Sequence, residues 1–181
     1  MKERIRNILQ NRPKKKIRNG NCRASAVLVP LYCDQGECYV LFTERSQEVD
    51  FHKGQVCFPG GTWELSDSSL LRTALREAQE EIGLRAEDAE ILGELDDICT
   101  LTSNYVISPF VAMIPFPYSF EIDTKEIREV FAVPLSFLMD ESNFRQESYS
   151  YEYGGHLIWG ATARILRQLI DLLRTSEVLQ Q

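Results

Sequence analysis

Residues 74–84, ALREAQEEIGL, crowd Glu77, Glu80 and Glu81 onto about one helical turn. Like charges three and four positions apart on a helix repel by roughly 0.2–0.5 kcal/mol per pair. Gly83 reads as a helix-ending residue, so Glu80 and Glu81 fall in the last turn, where the helix dipole also disfavours anions. Leu71, Leu75, Ala78 and Ile82 share one face. That period predicts a helix from about Ser69 to Ile82, with Asp67, Ser68 or Ser69 as its N-cap. The glutamates occupy another side: 77 and 81 lie about 40° apart around the axis, and 77 and 80 about 60°. Three carboxylates gathered this way suit a hard divalent cation such as Mg²⁺, which takes oxygen ligands and offsets both penalties. Arg76 can pair with Glu80 at i+4, or hold a glutamate in its ligating rotamer. The plain alternative for such a cluster is a solvated helix face.

The segment just upstream favours the metal reading. FPGGTWELSDSS (58–69) delivers a short strand, through Gly60 and Gly61, into the start of the helix. Glycines there let the backbone approach a ligand closely. Working outward, ASAVLVPLY (24–32) and CYVLFTE (38–44) are β-rich runs joined by a turn at DQG, an antiparallel pair. QVCF (55–58), AEILGELD (89–96), VISPFVAMI (106–114) and EVFAVPL (129–135) are further strands. SYSYEY and HLIW flank Gly154-Gly155, a two-residue hairpin signal, and ATARILRQLIDLL (161–173) is an amphipathic helix that follows. Strands interleaved with two substantial helices predict an α/β fold, a mixed sheet covered on both faces.

A chain of 181 residues with 44% hydrophobic and 26% charged residues fits one globular domain. No apolar run approaches the ~20 residues of a membrane span, so no membrane partner is expected. Neither a signal peptide nor a peroxisomal address is visible, and the expected location is the cytoplasm. The five cysteines (22, 33, 38, 57 and 99) contain no CxxC pair and have only His52 and His156 to join them. Reduced thiols are therefore expected, not a zinc site. The net charge of −7 hides an asymmetry: Met1 to Arg18 holds eight Lys/Arg against Glu3 alone. This basic arm, residues 1–21, is read as a helix with Ile5, Ile8 and Leu9 as its apolar face, then a linker near Pro13. Because the body is acidic, nucleic acid is not the expected partner, and an anionic ligand must be met locally.

Gly61, Arg76, Glu77, Ala78, Glu80, Glu81, Gly83 and Leu84 resemble the Nudix box, G-x5-E-x7-R-E-U-x-E-E-x-G-U, where U is bulky and apolar. The second half matches, with Ala78 smaller than the usual U. The first half departs: Asp67 stands for Glu, and eight residues rather than seven separate it from Arg76. That leaves the role of the first acidic position open. LFTERSQEVDFHKGQVCFPGG (41–61) is similar to the L-L-T-x-R-S-x-x-L-x-x-H-x-G-Q-V-x-F-P-G-G signature of the coenzyme A pyrophosphatase branch, which also tends to carry one extra residue at that point.

The resemblance spans about residues 22–173. It implies a Nudix hydrolase domain over 22–181, an α/β/α sandwich with a mixed β-sheet between helices, using Mg²⁺ or Mn²⁺. The branch implies hydrolysis of coenzyme A, and of acyl or oxidised forms, to 3′,5′-ADP and 4′-phosphopantetheine. Other readings are a Nudix hydrolase of NADH, ADP-ribose, a dinucleoside polyphosphate or a nucleoside triphosphate, or a binding module without catalysis. By the match to the box, Glu77 and Glu81 are metal ligands, and Glu80 is a third ligand or the base. Arg76 orients a carboxylate, and the Gly61 carbonyl is within the metal's reach. Arg45, His52, Lys53 and Gly60 belong to the branch signature and are candidates for the substrate's phosphates. Arg23 and the 14–18 cluster are candidates for the 3′-phosphate, and Tyr149, Tyr151 and Tyr153 for either adenine stacking or a packed aromatic face. Glu126 is one of several acids outside the box that could activate water. The assembly, including a homodimer, is left open.

Overall fold

The structure is a computed structural model that describes residues 1–17, 20–48, 53–100 and 103–178, with residues 177 and 178 described by backbone only. Helix α1 (Lys2–Gln10) precedes the long strands β1 (Arg23–Asp34) and β2 (Glu37–Arg45), then short β3 (Val56–Cys57) and β4 (Gly60–Thr62). Helix α2 (Leu70–Ile82) is followed by β5 (Glu90–Glu94), β6 (Ile98–Cys99), β7 (Tyr105–Met113) and β8 (Ile127–Pro134). Helix α3 (Leu135–Met139), a small sheet of β9 (Phe144–Arg145), β10 (Ser150–Tyr153) and β11 (His156–Ile158), and α4 (Gly160–Val178) complete the order.

The main sheet is mixed. β1 and β7 run parallel over nine paired positions, Arg23↔Tyr105 to Leu31↔Met113, while β2 pairs antiparallel with β1 and β8. The β1–β2 turn is made at Gln35 and Gly36, both in the left-handed region. β1 and β2 pair only near this turn (Leu31–Asp34 with Glu37–Val40); beyond it β4 lies against β1 and β3 against β2. That parting of the strands brings Gly60 and Gly61 under α2.

Strand alternation sends one set of side chains to each face. Ala26, Leu28, Leu41 and Phe110 meet Ala74, Leu75, Ala78 and Ile82 of α2. Val29, Leu31, Val40 and Phe42 meet Leu166, Leu169 and Ile170 of α4 on the other face. Ile5 and Leu9 are buried in that second core, and Ile8 packs against it. The basic stretch after α1 folds back onto acids of the body: Arg12 on Asp96, and Lys14 on Glu94 and Asp97. Arg18 lies outside the described residues.

Helix α2 starts and stops where its local chemistry dictates. The Ser69 hydroxyl accepts from the Arg72 amide, and Gly83 ends the helix at φ 69°. Two expectations need correction. Cys33 and Cys38 are not free thiols; they are direct cross-strand partners with Cα atoms 4.0 Å apart and form a disulfide. Strand β8 ends at Pro134, and Leu135, expected to be extended, opens α3.

Candidate active site

Asp67 is the first piece of the site to be built. Its buried carboxylate accepts from Arg76 Nε and Nη2 at 3.1 Å each, from the Thr73 hydroxyl at 2.9 Å and from the Glu64 amide at 3.2 Å. The Arg76 guanidinium holds that carboxyl below the usual carboxylate range. Arg76 donates a further bond to the Thr62 carbonyl at 3.2 Å and lies 2.9 Å from both Glu77 Oε1 and Glu80 Oε2. One fork thus ties the loop, β4 and two glutamates together. Asp67 therefore has a structural place despite its altered spacing: it anchors Arg76.

The three glutamates do not converge equally. Glu77 and Glu81 turn inward, with side chains 16% and 3% exposed, while Glu80 turns to solvent at 59%. Gly61 makes room for Glu77: a Cβ at that position would collide with the Glu77 carboxylate. Gly60 is equally cramped, since its Cβ would lie 2.7 Å from Val27 Cα, and its amide donates to Glu81 at 3.2 Å. Arg45, from the end of β2, reaches Glu81 at 3.6 Å and Glu126 at 3.9 Å. Burial pushes Glu81 up to about 8, partly countered by Arg45 and the Gly60 amide, and burial also raises Glu77. Glu126 adds its negative charge to both. A buried Glu81 whose nearest cation is 3.6 Å away, beside a half-buried Glu77 held by Arg76, is a donor set that fits a hard divalent ion.

The other candidates fall elsewhere. Lys53 lines a cleft of about 770 Å³ together with Glu44, Arg128, Glu129, His156 and Trp159. That cleft is on the opposite face of β2 from Glu81, because Glu44 and Arg45 point to opposite sides. Ligand atoms of Glu44, Glu129 and His156 lie within 4.8 Å of one another, but Arg128 already pairs with both glutamates. Arg23 lies at the start of β1 over the Tyr105 ring, 5.4 Å from its centroid. His52 lies outside the described residues. Tyr151 is fully buried against Phe144, Tyr153 meets Phe137 edge-on, and Tyr149 stands before the strand in a left-handed conformation. Tyr151 and Tyr153 thus pack while Tyr149 stays exposed, and the three do not form a shared stacking face.

The family model for the NUDIX domain matches residues 23–151, the span from β1 to β10 that contains every part of this constellation. The chain belongs to the Nudix family. It is 36% identical over 171 residues to a protein described as "Uncharacterized Nudix hydrolase NudL" from Photorhabdus laumondii, covering 89% of this chain and 90% of that one. A protein of the same description from Yersinia enterocolitica is 34% identical over 161 residues, covering 83% and 82%. Among solved Nudix structures, a Caenorhabditis elegans Ap4A hydrolase binary complex superposes with a TM-score of 0.58 at 15% identity, covering 84% of this chain and 98% of that one. The NUDIX domain of Shewanella oneidensis NrtR, complexed with ADP ribose, gives 0.58 at 17% identity, covering 86% and 88%. These likenesses carry the Nudix fold, a mixed sheet between helices. The chain is a Nudix pyrophosphohydrolase, and Nudix enzymes generally use divalent metal ions. Among the described residues, no helix is long and apolar enough to cross a membrane.

Proposed function

We propose that this Nudix hydrolase cleaves the diphosphate of coenzyme A, and of its acyl or oxidised forms, with Mg²⁺ or Mn²⁺. The observation that carries the catalytic half of this reading is Glu81: a carboxylate 2% exposed, beside Glu77 and Glu126, with its nearest cation 3.6 Å away. The substrate half is supported by the likeness of residues 41–61 to the coenzyme A branch, in which Arg45 and Gly60 both meet that carboxylate.

Glu77 and Glu81 would hold the divalent ions, with the Gly61 carbonyl beside them. Bound there, the ions would neutralise phosphate oxygens and lower the pKa of water. Asp67 fixes Arg76, and Arg76 fixes the rotamers of Glu77 and Glu80. With Glu81 engaged by ions, Arg45 would be free to meet a phosphate oxygen. Water attacks one phosphorus, the bridging P–O bond breaks, and 3′,5′-ADP leaves from 4′-phosphopantetheine. The proton of the attacking water goes to Glu126. Glu80 is the poorer acceptor because a guanidinium already engages it at 2.9 Å, whereas Glu126 has Arg45 only at 3.9 Å. Lys53, in the cleft on the opposite face of β2, and Arg23, over the Tyr105 ring, lie outside this contact set.

The test is product identification by mass spectrometry across a panel of coenzyme A, acetyl coenzyme A, NADH, ADP-ribose and a dinucleoside tetraphosphate. Coenzyme A derivatives are expected to give 3′,5′-ADP with the highest kcat/KM. Cleavage of NADH or ADP-ribose with equal efficiency would overturn the substrate assignment.

A further inference from the structure

Two thiols near the site are not used by this chemistry. Cys22 Sγ and Cys99 Sγ lie 3.9 Å apart, both half-buried, at the end of the main sheet. A disulfide needs about 2.05 Å between the sulfurs, so the two must approach by roughly 2 Å to close the bond. The two residues bracket Tyr105. Cys22 precedes Arg23, whose amide donates to the Asn104 carbonyl at 2.8 Å and whose guanidinium covers the Tyr105 ring. Cys99 pairs across to Val106 and precedes Thr100, whose hydroxyl accepts from the Tyr105 amide at 2.9 Å. The Tyr105 hydroxyl is 3.4 Å from the Thr62 hydroxyl, and the Thr62 carbonyl is the one that Arg76 binds. A continuous set of contacts therefore runs from the thiol pair to the guanidinium that sets Glu77.

We propose that Cys22 and Cys99 are a redox-closable pair whose disulfide tightens the Tyr105–Thr62 wall and alters substrate binding. The oxidant is a small-molecule disulfide. One cysteine thiolate attacks it, giving a mixed disulfide and releasing one thiol. The second cysteine thiolate then displaces the other thiol. Two protons leave the protein, and the external disulfide is reduced to two thiols. Cys57 stands apart from the pair: its sulfur lies 3.2 Å from the Thr43 hydroxyl on β2, and desolvation raises its thiol to about 11. The Cys33–Cys38 bridge lies at the far end of β1.

Incubation with glutathione disulfide, followed by non-reducing peptide mapping, tests the pairing. The expected result is a Cys22–Cys99 cross-link that dithiothreitol removes, with the thiol count of the denatured protein falling from three to one. In Cys99→Ser, Cys22 should instead retain a stable glutathione adduct. A persistent adduct on either cysteine of the unaltered protein, or three thiols remaining, would overturn the pairing. The functional arm measures KM on a diphosphate that the panel shows to be cleaved and that carries no free thiol. Oxidation should shift KM and leave kcat in place, reversibly, and Cys22→Ser should not respond. A cross-link without any change in KM would overturn the link to the wall. Neither arm depends on coenzyme A being the substrate.

Discussion

Glu44 and Arg45 are neighbours on β2, and each belongs to a different acidic cluster. On the Glu44 side, Arg128 and His156 meet the carboxylate, His156 at 3.0 Å, so its charge is matched within the protein. On the Arg45 side, Glu77 is met by Arg76 at 2.9 Å, but Glu81 and Glu126 share one guanidinium, that of Arg45, no closer than 3.6 Å to Glu81. Two sets of carboxylates, one strand thick apart, thus differ in what they lack. The first is complete, and the second needs a cation from outside. Spacing of ligand atoms alone would favour the wrong cluster; the balance of charge points to the box.

The sharpest way to break this contrast is to neutralise one acid on each side. Glu81→Gln should lower kcat/KM on the order of 10³-fold, since it removes a metal ligand worth several kcal/mol in the transition state. The variant should melt no lower than the parent, because Gln removes a buried carboxyl whose ionised form is poorly paired. Glu44→Gln should do the reverse, with near-parental turnover and a lower melting temperature. Steady-state kinetics and thermal melts on both variants check the pair of outcomes. Equal losses of activity would erase the distinction.

Next in size is Asp67→Asn, which should cost about 10–100-fold in kcat/KM or metal affinity by freeing Arg76. Raising the Mg²⁺ concentration should recover part of it. Full parental activity would show that Arg76 needs no anchor.

The metal-free protein supplies a third test. Glu81 keeps its proton up to about pH 8 when folded, against an ordinary value of 4.5. Between those values the unfolded chain binds fewer protons, so stability should fall as pH rises from 4.5 to 8 and level off beyond. Asp67 and Asp97 are shifted downward from 3.8 and so do not titrate in that window. Mg²⁺ should restore stability most strongly near pH 8. Melting curves with chelator and with Mg²⁺ measure both effects, and a rise in stability across the window without metal would contradict the burial of this charge.

The smallest effect is expected at Glu80. Exposed and paired with Arg76, it should tolerate Gln with about a tenfold loss or less, the scale of an outer-shell change. Glu126→Gln should cost more than that, at a level of about 10²-fold or above for a lost proton acceptor. An inverse order would move the base to Glu80.

These contrasts also mark what the sequence could convey. Helix α2 was legible because its signals are local: the Ser69 cap, the apolar period and Gly83 lie within one short segment. The Nudix box and the glycine pair were legible for the same reason. The contribution of Glu126 was not, because it reaches Glu81 only through a return of the chain some forty residues later. The nine-residue parallel pairing of β1 with β7 was hidden likewise, since strand patterns carry no record of their partners. Asp67 was visible but ambiguous: one extra residue in the loop obscured its bond to Arg76. The outward turn of Glu80 could not be read from helical angles, which place it only about 60° from Glu77.

The end of α2 has a consequence for engineering. The 115–126 segment does not merely pass by: the Glu121 amide caps the Ile82 carbonyl at 3.1 Å, the Asp123 amide caps the Glu81 carbonyl at 3.0 Å, and Glu121 crowds the space beside Gly83. Main-chain caps hold it to the end of α2, and its own side chains add to them: the Tyr118 hydroxyl accepts from the Arg85 amide at 3.1 Å and donates to Asp88 at 2.9 Å, while Phe120 packs on the α2-side core. The segment is therefore a transplantable cassette only if Tyr118 and Phe120 travel with it. Exchanging it between Nudix relatives should move the acid at position 126 from one catalyst to another while the box beneath remains untouched.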